Sequence, residues 1–287
     1  MRILVIGASG CIGRRLCRDL GRRHQVTGTF RSVSQEVPGC RVTLRTDIRR
    51  QEEIDALFQQ VQPEAIYHLA YDPNDLDGSI VQGTHNVLRS WHEAGGQGRF
   101  VYLSTGSVFD GENGPFSEND EPRPITPYGQ AKRRAELDVL AAGGLVVRTA
   151  LVYGLEPPDP VTRVLLEGLQ SGSFHYPYFE DEIRCPIWVD DLSQALAECL
   201  WLPVAMKILH FAGPQALSRY TLARTLAVHL GFDPDAVPRA RLADSPLTRP
   251  RDLTLDTSRA RQLLSTTFRS NAQALQGRRR SIDQTAP

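Results

Sequence analysis

A short strand-like segment followed at once by three evenly spaced glycines opens this chain and restricts the folds open to it. Arg2–Ile6 reads RILVI, which is typical of a parallel strand buried on both faces. Gly7, Gly10 and Gly13 then lead into a helix-like segment over 11–22. Glycines at a strand-to-helix turn let the backbone approach a phosphate, and the helix N-terminus offers free N–H groups and partial positive charge. The opening therefore predicts an α/β fold whose first turn binds a phosphate group.

Strand-like and helix-like segments keep alternating as far as about residue 150, which predicts a parallel sheet covered by helices on both faces. We expect a Rossmann-type doubly wound parallel sheet. Predicted strands are 26–30, 42–44, 64–69, 99–104, 144–150 and 207–211, and predicted helices are 50–61, 78–94, 128–141, 161–170, 190–202 and 219–230.

The alternation stops after Gly154, where three prolines follow within six residues. We therefore predict a nucleotide-binding domain over 1–155, to which 186–212 returns. A smaller substrate-binding region takes 156–185 and 213–270, and 233–252 is expected to be irregular. Residues 271–287 are predicted to be a disordered tail whose arginine cluster is solvated.

Composition argues against several kinds of partner. Lys plus Arg number 33 and Asp plus Glu number 33, so no net charge favours nucleic acid or a membrane surface. No apolar stretch reaches 18 residues, and no signal peptide is recognisable. The five cysteines show no CxxC or Cys/His spacing, which favours reduced thiols and no metal site in a cytoplasmic protein.

A tyrosine and one of the chain's two lysines stand four residues apart. In Tyr128-Gly129-Gln130-Ala131-Lys132 this spacing places phenol and ammonium on the same face of a helix. A fixed positive charge lowers the pKa of a nearby phenol, so Tyr128 is predicted to act as a general acid that Lys132 activates.

Together, Gly-x-x-Gly-x-x-Gly at residues 7–13 and the Tyr128/Lys132 pair resemble the extended short-chain dehydrogenase/reductase family, over roughly residues 1 to 265. The resemblance implies a nicotinamide dinucleotide and a catalytic set of Thr105, Tyr128 and Lys132. Ser104 and Ser107 are competing hydroxyls that strand alternation cannot separate from Thr105. The cofactor-binding residues so implied are Gly7, Ser9, Gly10, Cys11, Ile12, Gly13, Arg31, Ser32, Asp47, Ile48, Leu69, Ala70, Tyr128 and Lys132.

The end of the second strand favours NADP(H) over NAD(H). NAD sites usually place a carboxylate there for the ribose 2′-hydroxyl, yet no acidic residue lies between Asp19 and Glu36. Arg31 and Ser32 are predicted to hold a 2′-phosphate instead, with Arg14 or Arg15 helping. His68 is expected to belong to a turn over the adenine-side ribose, or to be buried with its own hydrogen bond.

Several segments look closest to the dTDP-4-dehydrorhamnose reductase group, which implies reduction of a keto group on a nucleotide-activated sugar. They include 108–111, 115–118, 124–129, 147–149, 152–154, 186–192, 210–213 and 249–257. Val108, Phe109 and Arg249 are the implied substrate contacts, although Arg249 could equally be structural. A homodimer is allowed.

Departures from that group keep other functions open. Gly106 and Ser107 replace its Asp-Tyr, Leu151 stands where a Trp is usual, and Ile80 where an Asn is frequent. A dehydratase needs Asp-Glu directly after the catalytic hydroxyl, which Gly106-Ser107 lacks. The alternatives are an epimerase that retains its NAD(P), and a non-catalytic subunit like the regulatory subunit of methionine adenosyltransferase, which acts through a partner.

Overall fold

A parallel sheet forms the centre of the molecule, as the alternating segments predict. The structure, a computed structural model, describes residues 1–32 and 36–276. The strands are β1 (Arg2–Ile6), β2 (Gln25–Phe30), β3 (Cys40–Arg45), β4 (Ala65–His68), β5 (Arg99–Thr105), β6 (Leu145–Thr149), β7 (Val152–Tyr153), β8 (Tyr178–Phe179), β9 (Ile183–Arg184), β10 (Ile187–Trp188), β11 (Ile208–Phe211), β12 (Leu217–Ser218) and β13 (Arg239–Ala240). Seven of them lie in the order β11-β6-β5-β4-β1-β2-β3, with every neighbouring pair parallel.

Helices connect these strands. They are α1 (Cys11–Leu20), α2 (Gln51–Val61), α3 (Gly83–Glu93), α4 (Pro127–Ala141), α5 (Pro160–Ser171), α6 (Val189–Glu198), α7 (Arg219–His229), α8 (Ser258–Leu263) and α9 (Asn271–Leu275). A π-helical turn over Asp77–Gln82 runs directly into α3, where the sequence predicts one continuous helix. Thr126 caps α4 by accepting a hydrogen bond from the backbone N–H of Gly129, and Pro127 occupies the first turn.

Strand β1 separates two hydrophobic cores because its side chains alternate between the faces of the sheet. Ile3 and Val5 pack into the core that also contains residues of α1 and α6. Leu4 and Ile6 pack into the core shared with α2, α3 and α4. All four side chains are fully buried, each contributing roughly 1.5–3 kcal/mol. This two-sided burial explains why the segment has no polar alternation.

A smaller region lies beyond the sheet, where short strand pairs β7–β10, β8–β13 and β9–β12 replace long ladders. Its hydrophobic cluster includes Tyr153, Trp188 and Leu222. Residues 233–252 are largely irregular, as predicted, with two 3₁₀ turns and β13.

The predicted disordered tail begins too early in the chain. Asn271–Leu275 form α9, whose N-terminus has a capping box between Ser270 and Gln273. Ala274 and Leu275 pack into the smaller region, and the Tyr153 hydroxyl donates to Asn271 Oδ1 over 3.2 Å. The periodic signal was too short to predict a helix. The arginine cluster at 278–280 lies outside the described residues.

The chain returns from the smaller region to complete the sheet. Strand β11 adds to the edge of β6, pairing Leu209 with Val147, and α6 packs on α1. Arg15, a buried arginine of α1, donates from Nε to Asp190 of α6 over 3.0 Å. In the described residues, no helix combines the length and apolarity that crossing a membrane requires.

Candidate nucleotide and substrate site

The first turn of the sheet is shaped as a close-approach site for a ligand. Gly7 has φ of +90°, and the Gly10 N–H donates to its carbonyl over 3.1 Å. A Cβ added at Gly13 would lie 2.2 Å from the Gly7 carbonyl oxygen, so only glycine fits there. No side chain caps the N-terminus of α1, and its first residue Cys11 lines the adjoining cavity. A turn of this shape can present backbone N–H donors to an anionic group.

One cavity of about 910 Å³ runs along the carboxyl ends of the parallel strands. The predicted cofactor and catalytic residues all line it, together with Arg249: Gly7, Ser9, Gly10, Cys11, Ile12, Gly13, Arg31, Ser32, Asp47, Ile48, Leu69, Ala70, Thr105, Tyr128 and Lys132. Strands β1, β2, β4 and β5 end at the same edge, which brings together residues that lie far apart in sequence.

Thr105, Tyr128 and Lys132 meet near the middle of this cavity. Thr105 ends β5, and its side chain hydrogen-bonds the phenol of Tyr128 in α4. Lys132 lies one turn further along α4 and donates from Nζ to the Leu103 carbonyl over 2.9 Å. Its ammonium also lies 4.7 Å from the centroid of the Tyr102 ring. The three side chains thus form one cluster around β5.

The titration of this cluster departs from the prediction that Lys132 lowers the Tyr128 pKa. Burial raises the pKa of Tyr128, the neighbouring Tyr71 raises it further, and the Thr105 hydrogen bond opposes both. Burial also lowers the pKa of Lys132 to about 7, against an opposing effect of Glu136. Lys132 is directed at the Leu103 carbonyl and is itself desolvated, so sequence spacing alone overstated its effect on the phenol.

Of the three competing hydroxyls, Ser104 has a structural partner. Its Oγ donates to Glu136 Oε1 over 2.6 Å in a fully buried position. The same carboxylate accepts from Arg148 through Nε and a terminal nitrogen, both at 2.9 Å. Ser107 lines the cavity, and its backbone N–H donates to the Thr105 hydroxyl over 3.1 Å.

The opposite end of the nucleotide cavity is charged. Arg31 lines it directly after β2, and its guanidinium pairs with Asp72, a residue that no sequence motif marks. Asp47 accepts from Arg49 Nε over 2.9 Å, and this guanidinium holds the Asp47 pKa below its usual range. His68 is fully buried and bonds Thr84 Oγ1 over 3.1 Å, and burial lowers its pKa to about 3. His68 is therefore buried with its own hydrogen bond.

A second charged group faces the cavity from the smaller region. Glu182 is only 2% exposed and accepts from an Arg184 terminal nitrogen over 2.9 Å. Arg219 lies 4.0 Å and Arg249 3.6 Å from the same carboxylate. Three guanidinium groups around one carboxylate leave excess positive charge, which suits an anionic ligand. Sequence reasoning found Arg249 alone, because nothing in the local pattern marks the other three.

Two groups of predicted residues lie elsewhere. Val108 and Phe109, predicted as substrate contacts, are buried in a hydrophobic cluster, where Phe109 stacks on Phe116 with 4.3 Å between ring centroids. Arg15, a predicted 2′-phosphate helper, is buried and bonds Asp190 and the Glu156 carbonyl. Arg14, the other helper, donates to the Glu36 carbonyl over 3.3 Å and does not line the cavity.

These observations fit a nicotinamide dinucleotide. A glycine cradle that a Cβ would fill has room for a pyrophosphate, and a hydroxyl, a phenol and an amine cluster in the same cavity. In the described residues, no cluster of His, Cys, Asp and Glu has the arrangement of a metal site. The fold and site together define a Rossmann-type protein of the extended short-chain dehydrogenase/reductase class.

The chain belongs to the RmlD substrate binding domain family, whose model matches residues 1–280. It is 32% identical over 266 residues to a dTDP-4-dehydrorhamnose reductase of Mycobacterium tuberculosis, covering 87% of this chain and 82% of the relative. It is 24% identical over 282 residues to the methionine adenosyltransferase 2 subunit beta of Danio rerio, covering 90% and 83%.

Among solved structures, MoeE5 in complex with UDP-glucuronic acid and NAD superposes with a TM-score of 0.82. The two are 24% identical, and the match covers 96% of each chain. Because the match includes the smaller region, the two proteins share the same fold over nearly their whole length.

Proposed function

We propose that this chain is an NADP-dependent oxidoreductase that reduces a keto group of a nucleotide-activated sugar. The observation that carries the proposal is the cluster of Thr105, Tyr128 and Lys132 in a cavity that also holds the glycine cradle and Arg249. The reductase relative supports the reduction, and the UDP-glucuronic acid and NAD bound by MoeE5 support a nucleotide sugar and a nicotinamide dinucleotide as ligands.

The residues divide the reaction between them. A reduced nicotinamide dinucleotide, held by the glycine turn of residues 7–13 and by Lys132, would supply the hydride that adds to the carbonyl carbon. The Tyr128 phenol gives its proton to the carbonyl oxygen, so that hydride and proton together convert C=O to CH–OH. Because burial raises the pKa of Tyr128, the phenol keeps that proton at neutral pH until the oxygen becomes basic. Thr105 orients the substrate oxygen by a hydrogen bond, and Lys132 binds a cofactor ribose hydroxyl.

The arginines at the other end of the cavity bind the nucleoside diphosphate. Arg184, Arg219 and Arg249 surround Glu182, and guanidinium forks match phosphate oxygens in charge and geometry. This anchoring holds the sugar carbonyl beside Tyr128, where a small displacement would slow the reaction steeply.

Purified protein titrated with NADPH and NADH, followed by nicotinamide fluorescence, tests the cofactor half of the proposal. Turnover is then measured as loss of NADPH absorbance with 4-keto nucleotide sugars. We expect Tyr128→Phe to bind NADPH as wild type does while kcat falls by about 100-fold or more, because only the proton donor is lost. The matched control is Tyr176→Phe, a tyrosine outside the cavity wall, which should leave kcat unchanged.

Other outcomes point to other functions. Tight NADH binding with interconversion of sugars in the absence of added reductant would identify an epimerase. Binding of either nucleotide without turnover of any keto sugar would favour a non-catalytic subunit, which the methionine adenosyltransferase relative supports as the second candidate. Failure to bind either nucleotide would refute the proposal.

A further inference from the structure

The ion pair between Arg31 and Asp72 spans the nucleotide end of the cavity. Arg31 follows the end of β2, whereas Asp72 lies in the segment between β4 and the π-helical turn. Both residues line the cavity. The two residues follow different strands and lie 41 positions apart in sequence, so their contact depends on the tertiary structure. The guanidinium that the sequence assigns to a 2′-phosphate therefore already has an anionic partner.

Asp72 is the fixed member of this pair. Its backbone N–H donates to Ser79 Oγ over 2.8 Å, and its Oδ1 accepts the Asn74 backbone N–H over 3.1 Å. Ser79 is 2% exposed, so this support is buried. The Asp72 side chain is 12% exposed against 45% for Arg31. A ligand that competes for the guanidinium thus meets a carboxylate that stays in place.

The guanidinium groups nearest to this pair have partners of their own, and Arg45 donates from Nε to the Arg31 carbonyl over 3.2 Å. The next guanidinium, that of Arg49, is bound by Asp47 and lies 3.1 Å from Asp75. The cavity wall at this corner therefore carries two carboxylates, Asp47 and Asp72, and two guanidinium groups, Arg31 and Arg49. A 2′-phosphate brought to Arg31 meets the Asp72 carboxylate as a like charge, while a neutral hydroxyl finds an acceptor in that carboxylate.

We propose that Asp72 sets the nucleotide selectivity of this chain by restraining Arg31 and opposing a ribose 2′-phosphate, so that NADH is accepted alongside NADPH. The inference rests on the proposed function, because it concerns the cofactor of the same site. NAD sites usually carry a carboxylate at the end of the second strand, and this chain has none there. Asp72, which follows β4, supplies a carboxylate at the same end of the cavity.

Binding measurements on matched variants test this role without requiring turnover. Dissociation constants for NADPH and NADH are measured by nicotinamide fluorescence in wild type, Asp72→Asn, Arg31→Ala and Asp77→Asn. Asparagine keeps the Oδ1 that accepts from Asn74, so Asp72→Asn removes charge with little change of shape. Asp77 pairs with Arg134 close by in the chain but outside the cavity wall, so Asp77→Asn controls for loss of one carboxylate. Thermal unfolding confirms that each variant is folded.

The expected result is a change in the ratio of the NADH to the NADPH dissociation constant. Asp72→Asn should raise this ratio about tenfold, the size of one charge-assisted contact, and Arg31→Ala should lower it by a similar factor. Asp77→Asn should change it less than about twofold. An unchanged ratio in folded Asp72→Asn that still binds both nucleotides would overturn the inference and leave the proposed function standing. No binding of either nucleotide by wild type would instead overturn the proposed function, and the selectivity role with it.

Discussion

The buried carboxylate of Glu136 offers the sharpest test of the electrostatics beneath the cluster of Thr105, Tyr128 and Lys132. Glu136 is fully buried in α4 and pairs with Arg148 of β6, which is 1% exposed. It also accepts from Ser104 over 2.6 Å and from Arg133 over 3.2 Å. Replacing Glu136 by leucine removes all of these acceptors and leaves the Arg148 guanidinium desolvated without its counter-ion.

The expected cost of Glu136→Leu is about 3–5 kcal/mol in the free energy of unfolding, the range for removing one member of a buried ion pair. For a domain of this size, that loss corresponds to a fall of about 10 °C in Tm. Replacing both partners, Glu136→Leu with Arg148→Met, should recover most of the loss because no charge then remains buried. Urea unfolding followed by circular dichroism measures both variants, with m-values compared to check that unfolding stays cooperative.

An exposed pair of similar geometry supplies the control. Arg123 and Glu121 approach to 2.8 Å, yet their side chains are 71% and 75% exposed. Glu121→Gln should therefore change the unfolding free energy by less than about 1 kcal/mol. If Glu136→Leu also stays within about 1 kcal/mol of wild type, or the double variant is no more stable than the single one, burial does not govern the strength of this pair.

Three further results are expected. Gly13→Ala should destabilise the protein by about 1–3 kcal/mol and weaken NADPH binding, since its Cβ would lie 2.2 Å from the Gly7 carbonyl; Gly10→Ala, with 3.4 Å of space, should fold like wild type, and equal stability of the two would contradict the clash. Burial lowers the Lys132 pKa from the ordinary value of 10.5 to about 7, so between pH 7 and pH 10.5 the unfolded chain binds more protons than the folded protein. Stability from Lys132 is thus present above pH 10.5 and lost as pH falls through 7, so urea midpoints of wild type should rise from pH 7 to 9 relative to Lys132→Met; parallel midpoints would refute this. Arg249→Ala should raise KM for a nucleotide sugar about tenfold with little change in NADPH affinity, and an unaltered KM would return Arg249 to a structural role.

The sheet and the cradle could be predicted from sequence because they depend on local patterns. Apolar strands separated by helical segments, and glycines spaced by three, specify the parallel order and the turn before α1. The cluster of Thr105, Tyr128 and Lys132 likewise lies at positions that a strand end and a helical turn fix.

Residues whose roles depend on distant segments escaped prediction. Arg15 looks like an exposed helix arginine, yet its partner Asp190 lies 175 residues away. Asp72 and Glu182 matter only because loops bring them to guanidinium groups on other elements. Val108 and Phe109, the predicted substrate contacts, closely follow Thr105. The 3₁₀ turn over Gly106–Val108 instead directs both side chains into a buried hydrophobic cluster.

The return of the chain through α6 and β11 means that the sheet domain and the smaller region are not independent parts joined end to end. A fragment ending near residue 155 would leave β6 as a bare sheet edge and strip α6 from the core that contains Leu192 and Leu196. Such a half-protein would expose apolar surface and pair with other copies of itself. New ligand specificities in this architecture are therefore more readily obtained by exchanging the segments between fixed sheet strands than by fusing a new carboxyl-terminal half.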